Sequence, residues 1–146
     1  MIVRGETTVP VARAVLWAVL SDPTLLATAL PDVDEVSIGD DRHFNAIAGP
    51  TTGLGRTRVV MSFEIVEQRL NEFVQIHGAG TAGENLVDLT VGLELTDSGD
   101  RTGAAWQADV HIRGVMGSLL QRGLGPLVNE QIAGVVGAAA TIATAS

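Results

Sequence analysis

Between residues 33 and 113 the apolar side chains recur at nearly every second position, whereas the residues on either side repeat them at a helical interval. This switch constrains the fold more than any single motif does. A period of 2 buries one face of a strand, and a period of 3.6 buries one stripe of a helix. Segments 33–39 and 42–50 are separated by Asp40 and Asp41, a hairpin signal. Segment 56–69 sets Val59, Met61, Phe63 and Ile65 against Arg58, Ser62 and Glu64. Asn71 and Glu72 turn the chain into segment 72–81, and segment 84–97 carries Val87, Leu89, Val91, Leu93 and Leu95 on one face. After the turn Ser98-Gly99-Asp100, segment 101–113 opposes Trp106, Ala108, Val110 and Ile112 to Gln107, Asp109, His111 and Arg113. Consecutive strands joined by short turns predict an antiparallel meander.

The flanks complete the plan. Residues 1–9 read as a strand ended by Pro10, and Val11, Val15, Leu16, Val19 and Leu20 then follow helical spacing. Ser21-Asp22-Pro23 stops that helix and caps a second, short one, with Pro23 at the first position, where its missing N–H costs nothing. Pro31 ends it, because the residue before a proline is pushed out of helical space. From Val115 onward Met116, Leu119, Leu120, Leu124, Leu127, Val128, Ile132, Val135 and Val136 form the apolar stripe of a long helix, with Arg122, Asn129 and Glu130 on another side. Gly123-Leu124-Gly125-Pro126 predicts a kink or a break near Gly125. The expected fold is α+β, one domain over residues 1–146, in which a curved antiparallel sheet of about seven strands buries its inner face against the long helix. Where sheet and helix do not interdigitate fully, such a grip leaves an apolar cavity suited to small hydrophobic ligands.

Composition removes several function classes. The net charge is −8, with nine arginines scattered along the chain and no lysine. Phosphate binding needs a concentrated basic stripe, so a nucleic-acid partner is not expected. The five aromatic residues, Trp17, Trp106, Phe44, Phe63 and Phe73, are too few for the stacking platforms of single-strand binders. Cysteine is absent, which excludes disulfides, thiolate nucleophiles and Cys-type metal sites. Residues 1–9 lack the basic start and apolar run of a secretory signal, so a cytoplasmic location is expected. The uncharged stretch after Glu130 falls short of the roughly 20 residues of a membrane span and reads as a packed helix end.

The order of elements, together with Gly5, Trp17-x-x-Leu20-x-Asp22-Pro23, Pro31 and Trp106-x-x-Asp109-Val110 running into Gly114, resembles the START-like (SRPBCC) superfamily. Within it the chain is most similar to the carbon monoxide dehydrogenase CoxG family, over residues from about Gly5 to about Val136. The resemblance implies a helix-grip fold and a role beside molybdenum-containing CO dehydrogenase-type enzymes. It also implies a hydrophobic, quinone-like ligand or recruitment of the enzyme to the inner face of the membrane. The chain departs from the family at Pro31-Asp32, where Pro-Gly is usual, and lacks the aromatic pair near the end of the long helix. No anchor follows Ser146, so contact with a membrane is expected to be peripheral and not through a spanning tail.

The chemistry-bearing residues offer little else. His43, His77 and His111 show no metal-ligand spacing, so no metal or cofactor is expected. Asp109 and His111 lie two apart on a strand and share a face, expected to be the wet one. Asp32, Asp34, Glu35, Asp40 and Asp41 read as turn acids without the spacing of a calcium loop. Gly78-Ala79-Gly80 lies inside a strand, where glycine marks a bend or bulge. Ser62 and Ser118 have no general base at a defensible spacing. The predicted ligand-binding residues are therefore the inward apolar set Val59, Met61, Phe63, Val91, Trp106, Val110, Leu120, Leu124 and Leu127, with no catalytic residue.

Three functions compete at this point. A non-catalytic carrier of a small hydrophobic ligand fits an apolar interior without a catalytic constellation. A polyketide cyclase or dehydratase, as START-like folds also house, would need ionisable groups facing inward, for which Asn45, Glu64, His77 and Gln107 are the candidates. An interaction module would instead use the long helix or a sheet edge.

Overall fold

Asp22 sets the first corner of the chain. Its Oδ1 accepts from the backbone N–H of Thr24 at 2.9 Å and of Leu25 at 3.4 Å, capping the helix Pro23–Ala29 (α2), which carries Pro23 in its first turn. The helix before it, Arg13–Leu20 (α1), buries Leu16, Val19 and Leu20. Val15, expected on the same stripe, is exposed instead. Helix α1 begins two residues later than the pattern suggested, so Val11 joins the core from the approach segment. Helix α2 ends at Ala29, and Leu30 before Pro31 is extended, with ψ of 135°. Asp32 follows with φ of 55°, a left-handed conformation that Asp tolerates better than most residues and Gly better still.

The structure is a computed structural model that describes residues 1–49, 51–52, 55–56, 58–114 and 117–145. Side chains are described for these except 51–52, 55–56 and 117–124. The strands Ile2–Val9 (β1), Val33–Ile38 (β2), His43–Ala48 (β3), Thr51–Thr52 (β4), Gly55–Arg56 (β5), Val59–Arg69 (β6), Phe73–Ala82 (β7), Asn85–Ser98 (β8) and Arg101–Arg113 (β9) precede one long helix, Gly117–Ala145 (α3). Seven of them form an antiparallel sheet in the order β1-β9-β8-β7-β6-β3-β2, as the meander reading predicts. Strands β4 and β5 pair separately in a small hairpin that the alternation did not signal.

Side-chain alternation carries through the register. Phe44 faces Phe63, Phe63 faces Gly78, Gly78 faces Leu89 and Leu89 faces Val110, so one row of inner-face positions crosses five strands. Two register shifts interrupt the sheet, between Val33 and Glu35 and between Ile65 and Glu67. The expectation of a bend or bulge at Gly78–Gly80 is corrected, because β7 is continuous there. These glycines do a different job. A Cβ on Gly78 would come within 2.8 Å of the Phe63 ring, and one on Gly80 would run into the Val60 carbonyl.

Helix α3 lies on the inner face and packs against β1, β9, α1 and α2. Val136, Ala139, Ala140 and Ala143 are buried, together with Leu16, Leu20, Ile65, Val74 and Leu95, in the main core. Fully burying each of the larger side chains contributes about 1.5–3 kcal/mol. The expected break near Gly125 is not found: α3 runs on through Pro126. Proline removes one backbone bond and crowds the preceding turn, and the buried alanine and valine contacts that follow hold the helix in place. The length argument on the tail is also corrected. Gly125–Ala145, 21 residues, is long and apolar enough to cross a membrane by length and composition, but in the fold one of its faces is docked on the sheet and the two short helices. No other helix among the described residues reaches that length.

Candidate functional site

The core is unevenly filled. At one end of the sheet the C-terminal half of α3 presents alanines, which bring its backbone close to α1 and the sheet. At the other end, where β6, β7, β8 and β9 meet at Val59, Ala82, Val87 and Ile112, the sheet and the helix stand apart around a cavity of about 310 Å³. That volume is at the lower end of the range for small-molecule sites. Helix α3 covers it with Leu127, Val128, Ile132, Val135 and Val136, and α2 closes a side with Leu26, Leu30 and Pro31. Two phenylalanines form part of the wall, Phe44 and Phe63, stacked with centroids 5.0 Å apart and planes at 21°.

The lining carries almost no polarity. Among the described residues Gln131 is its only polar side chain, and no ionisable group belongs to it. An apolar ligand entering such a site gives up water contact on both its own surface and the protein's, and nothing in the wall must be neutralised.

Of the predicted ligand-binding residues, Val59, Phe63, Val91, Val110 and Leu127 line the cavity together. Two do not. Met61 is buried outside the lining, with its methyl group near Gly78. Trp106 is buried too. Its indole lies over Gly5, where a Cβ would meet the ring at 2.6 Å, and its Nε1 donates to Asn129 Oδ1 at 3.0 Å. It therefore ties β1 to α3 and does not face the hollow. Leu120 and Leu124 lie outside the residues whose side chains are described. The sequence reading missed the contribution of α2. The pattern Leu26, Leu30 and Pro31 was visible in the sequence, but which side of that helix faces the hollow depends on how it folds back over the sheet.

The groups considered for catalysis sit elsewhere. Asn45, Glu64, His77 and Gln107 all fall on the outer face of the sheet, because their neighbours in sequence occupy the inner row. Glu64 Oε2 is 3.3 Å from His43 Nε2, and His77 Nε2 is 3.1 Å from Asp88 Oδ2. Gln107 accepts from Arg4 Nε at 3.2 Å. The version of the cyclase reading that relies on these four is corrected on this ground. Asp109 and His111 form the expected pair, Oδ1 to Nε2 at 3.1 Å, both about half exposed.

His43 also contacts Asp40, Nδ1 to Oδ1 at 2.7 Å. The hydrogen bond to Asp40 is the main reason its imidazole titrates above the ordinary histidine range. Asp40 is held below the ordinary carboxylate range, chiefly by the backbone N–H of Arg42 and then by His43. Among the described residues no three histidine, aspartate or glutamate side chains converge as a metal site would require. A second depression, about 620 Å³, lies on the outer face between β1, β7, β8 and β9. It is bordered by Arg4, Gln75, Glu94, Gln107 and Asp109, and is a solvated polar groove.

With this geometry in hand, the comparisons with known proteins agree with one another. Residues 5–142 match the family model for CoxG, described as a carbon monoxide dehydrogenase component. No match is found among curated proteins. Among solved structures, a conserved protein from Geobacillus kaustophilus superposes with a TM-score of 0.87 at 15% identity, over 100% of this chain and 97% of the other. The Zhui aromatase/cyclase from Streptomyces sp. R1128 gives 0.74 at 14% identity, covering 99% and 93%. A START superfamily protein from Mycobacterium smegmatis gives 0.69 at 14% identity, covering 92% and 93%. At these identities the likeness concerns the fold: a START-like helix grip, as the resemblance in sequence implied.

Proposed function

The chain belongs to the carbon monoxide dehydrogenase CoxG family, and from that premise we propose that it is a non-catalytic carrier of a small hydrophobic, quinone-like ligand, acting as an accessory to a molybdenum-containing CO dehydrogenase-type enzyme. The observation that carries the reading is the cavity under α3, whose described wall is apolar apart from Gln131. Support for a binding role over a reaction comes from the distribution of ionisable groups. All three histidines pair with carboxylates on the outer face of the sheet. General acid–base chemistry needs such a group within hydrogen-bond reach of the substrate.

The energetics suit a carrier. A ligand that removes about 300 Å² of apolar surface from water gains roughly 7.5 kcal/mol at 25 cal/mol per Å². Association costs then hold the affinity at micromolar or weaker, which permits release to a partner. Family membership motivates the choice of partner enzyme, and it motivates a location at the inner face of the membrane, where such a ligand is taken up.

The test is the content of the cavity. Protein purified by gel filtration is denatured, extracted into organic solvent and examined by mass spectrometry. The delipidated protein is then titrated with a decyl-substituted benzoquinone. A stoichiometric apolar species, or saturable one-to-one binding that is lost in Val91→Trp or Leu127→Trp, is the expected result. Neither species nor saturable binding would refute the carrier reading.

A further inference from the structure

We propose that the ligand of this cavity bears a hydrogen-bond donor, such as a hydroxyl, at one end, and that Asn85 accepts from it. The proposal rests on reading the cavity as a ligand site. Asn85 is the first residue of β8 and only 8% exposed. Its Nδ2 donates to the Ala82 carbonyl at 3.2 Å, across the turn between β7 and β8. Its Oδ1 is buried and has no partner, and it is the only side-chain atom among the described residues in that condition.

The identity of the unmet group is fixed. Turning the amide over would set Oδ1 against the Ala82 carbonyl, two acceptors facing each other, so the free position is an acceptor and not a donor. A buried acceptor left unmet costs the fold far more than an apolar side chain of similar size would, so its presence calls for a partner.

The register says where that partner comes from. Asn85 pairs with Ala82 and, two residues on, Val87 pairs with Gly80. Ala82 and Val87 both line the cavity. Asn85 thus stands at the end of the cavity-facing row of β8, about 7 Å beyond Val87 along the strand. On its other side the amide is hemmed in by Gly114, which has φ of 145° and no room for a Cβ against Oδ1. A second observation points the same way. Gln131, the polar residue of the lining, makes no hydrogen bond among the described residues.

An apolar body with one donor-bearing end satisfies both groups. A pure hydrocarbon or an ether leaves Oδ1 unpaired. For a ring that exists in dihydroxy and dicarbonyl forms only the dihydroxy form offers a donor, so the site favours the reduced form of such a ligand.

The experiment compares para-octylphenol with para-octylanisole, which differ by replacement of the hydroxyl proton with a methyl group, by calorimetric titration of the delipidated full chain. The expected result is about tenfold tighter binding of the phenol, with the ratio falling towards one in Asn85→Leu and in Asn85→Ala. A merely structural role for Asn85 would weaken both ligands alike and leave the ratio unchanged. That outcome overturns the proposal, and so does equal, saturable binding of both ligands by the unaltered protein. Binding of neither overturns the underlying cavity reading instead, which keeps the two failures apart.

Discussion

Gly78→Ala is the substitution whose effect can be worked furthest from the geometry. The new Cβ would come within 2.8 Å and 2.9 Å of two edge atoms of the Phe63 ring and 3.2 Å of the Met61 methyl group. The contacts are side-chain ends, not backbone, so relief is available. The ring borders the cavity and can swing into it. Overpacking a filled core costs about 1–3 kcal/mol. Beside a hollow the cost falls to the lower end, about 1 kcal/mol, and replacing a strand glycine returns about 0.5–1 kcal/mol by restricting the unfolded chain. The melting temperature should therefore change by no more than about 3 °C.

Ligand binding should suffer much more, because a displaced ring occupies the space the ligand needs. A loss of at least about tenfold in affinity is expected. Thermal unfolding followed by circular dichroism and calorimetric titration with the decyl-substituted benzoquinone measure the two quantities on one preparation. Full affinity in a stable Gly78→Ala protein would refute the reasoning, and so would a loss of stability above about 3 kcal/mol, since the ring would then have nowhere to go. Gly80→Ala provides the contrast. Its Cβ meets the Val60 backbone carbonyl, which cannot yield, and the variant should fail to accumulate as folded protein.

Further outcomes follow from the same contacts. Asn129→Ala leaves the buried Trp106 Nε1 without its acceptor and should cost about 1–3 kcal/mol in urea unfolding, with little effect on ligand affinity. Ala139→Leu forces three extra carbons into the filled end of the core and should cost at least about 1–3 kcal/mol, while an equally bulky change at Gly134, which meets nothing nearby, should be tolerated. Asp32→Gly relieves a left-handed residue and should raise stability by up to about 1 kcal/mol. The raised His43 titration and the lowered Asp40 titration give opposite pH limits to one exposed pair. The His43 contribution is present below the ordinary histidine pKa and is lost as pH rises through the raised value. The Asp40 contribution is present above the ordinary carboxylate pKa and is lost as pH falls through the lowered one. Stability measured from roughly pH 5 to roughly pH 8 should thus decline slightly at the upper end, and His43→Asn should remove that decline.

The path from sequence to structure was open where a pattern was local. The alternation in β6, β8 and β9 showed which residues face inward, and the Asp22-Pro23 corner and the long terminal helix were legible from capping and period. Where spatial convergence decided the matter, the sequence said less. Val59, Phe63, Val91, Val110 and Leu127 share the cavity wall, whereas Trp106, equally inward by alternation, is drawn away to Asn129 and Gly5. Nothing local separates those two fates. The glycines of β7 read as a bend because a glycine's own sequence neighbours do not reveal a ring lying on it from the adjacent strand. Asn85 drew no notice because an asparagine two residues after Gly83 is ordinary turn composition. Its orphaned oxygen exists only once β7, β8 and Gly114 are assembled.

The central claim is that the space beneath α3 admits a hydrophobic guest, and electron density tests it most directly. In a crystal of the delipidated protein soaked with the decyl-substituted benzoquinone, the account predicts continuous density bounded by Phe63, Val91, Val110 and Leu127. A cavity filled by the protein's own side chains, or density for the quinone on the outer face alone, would contradict it.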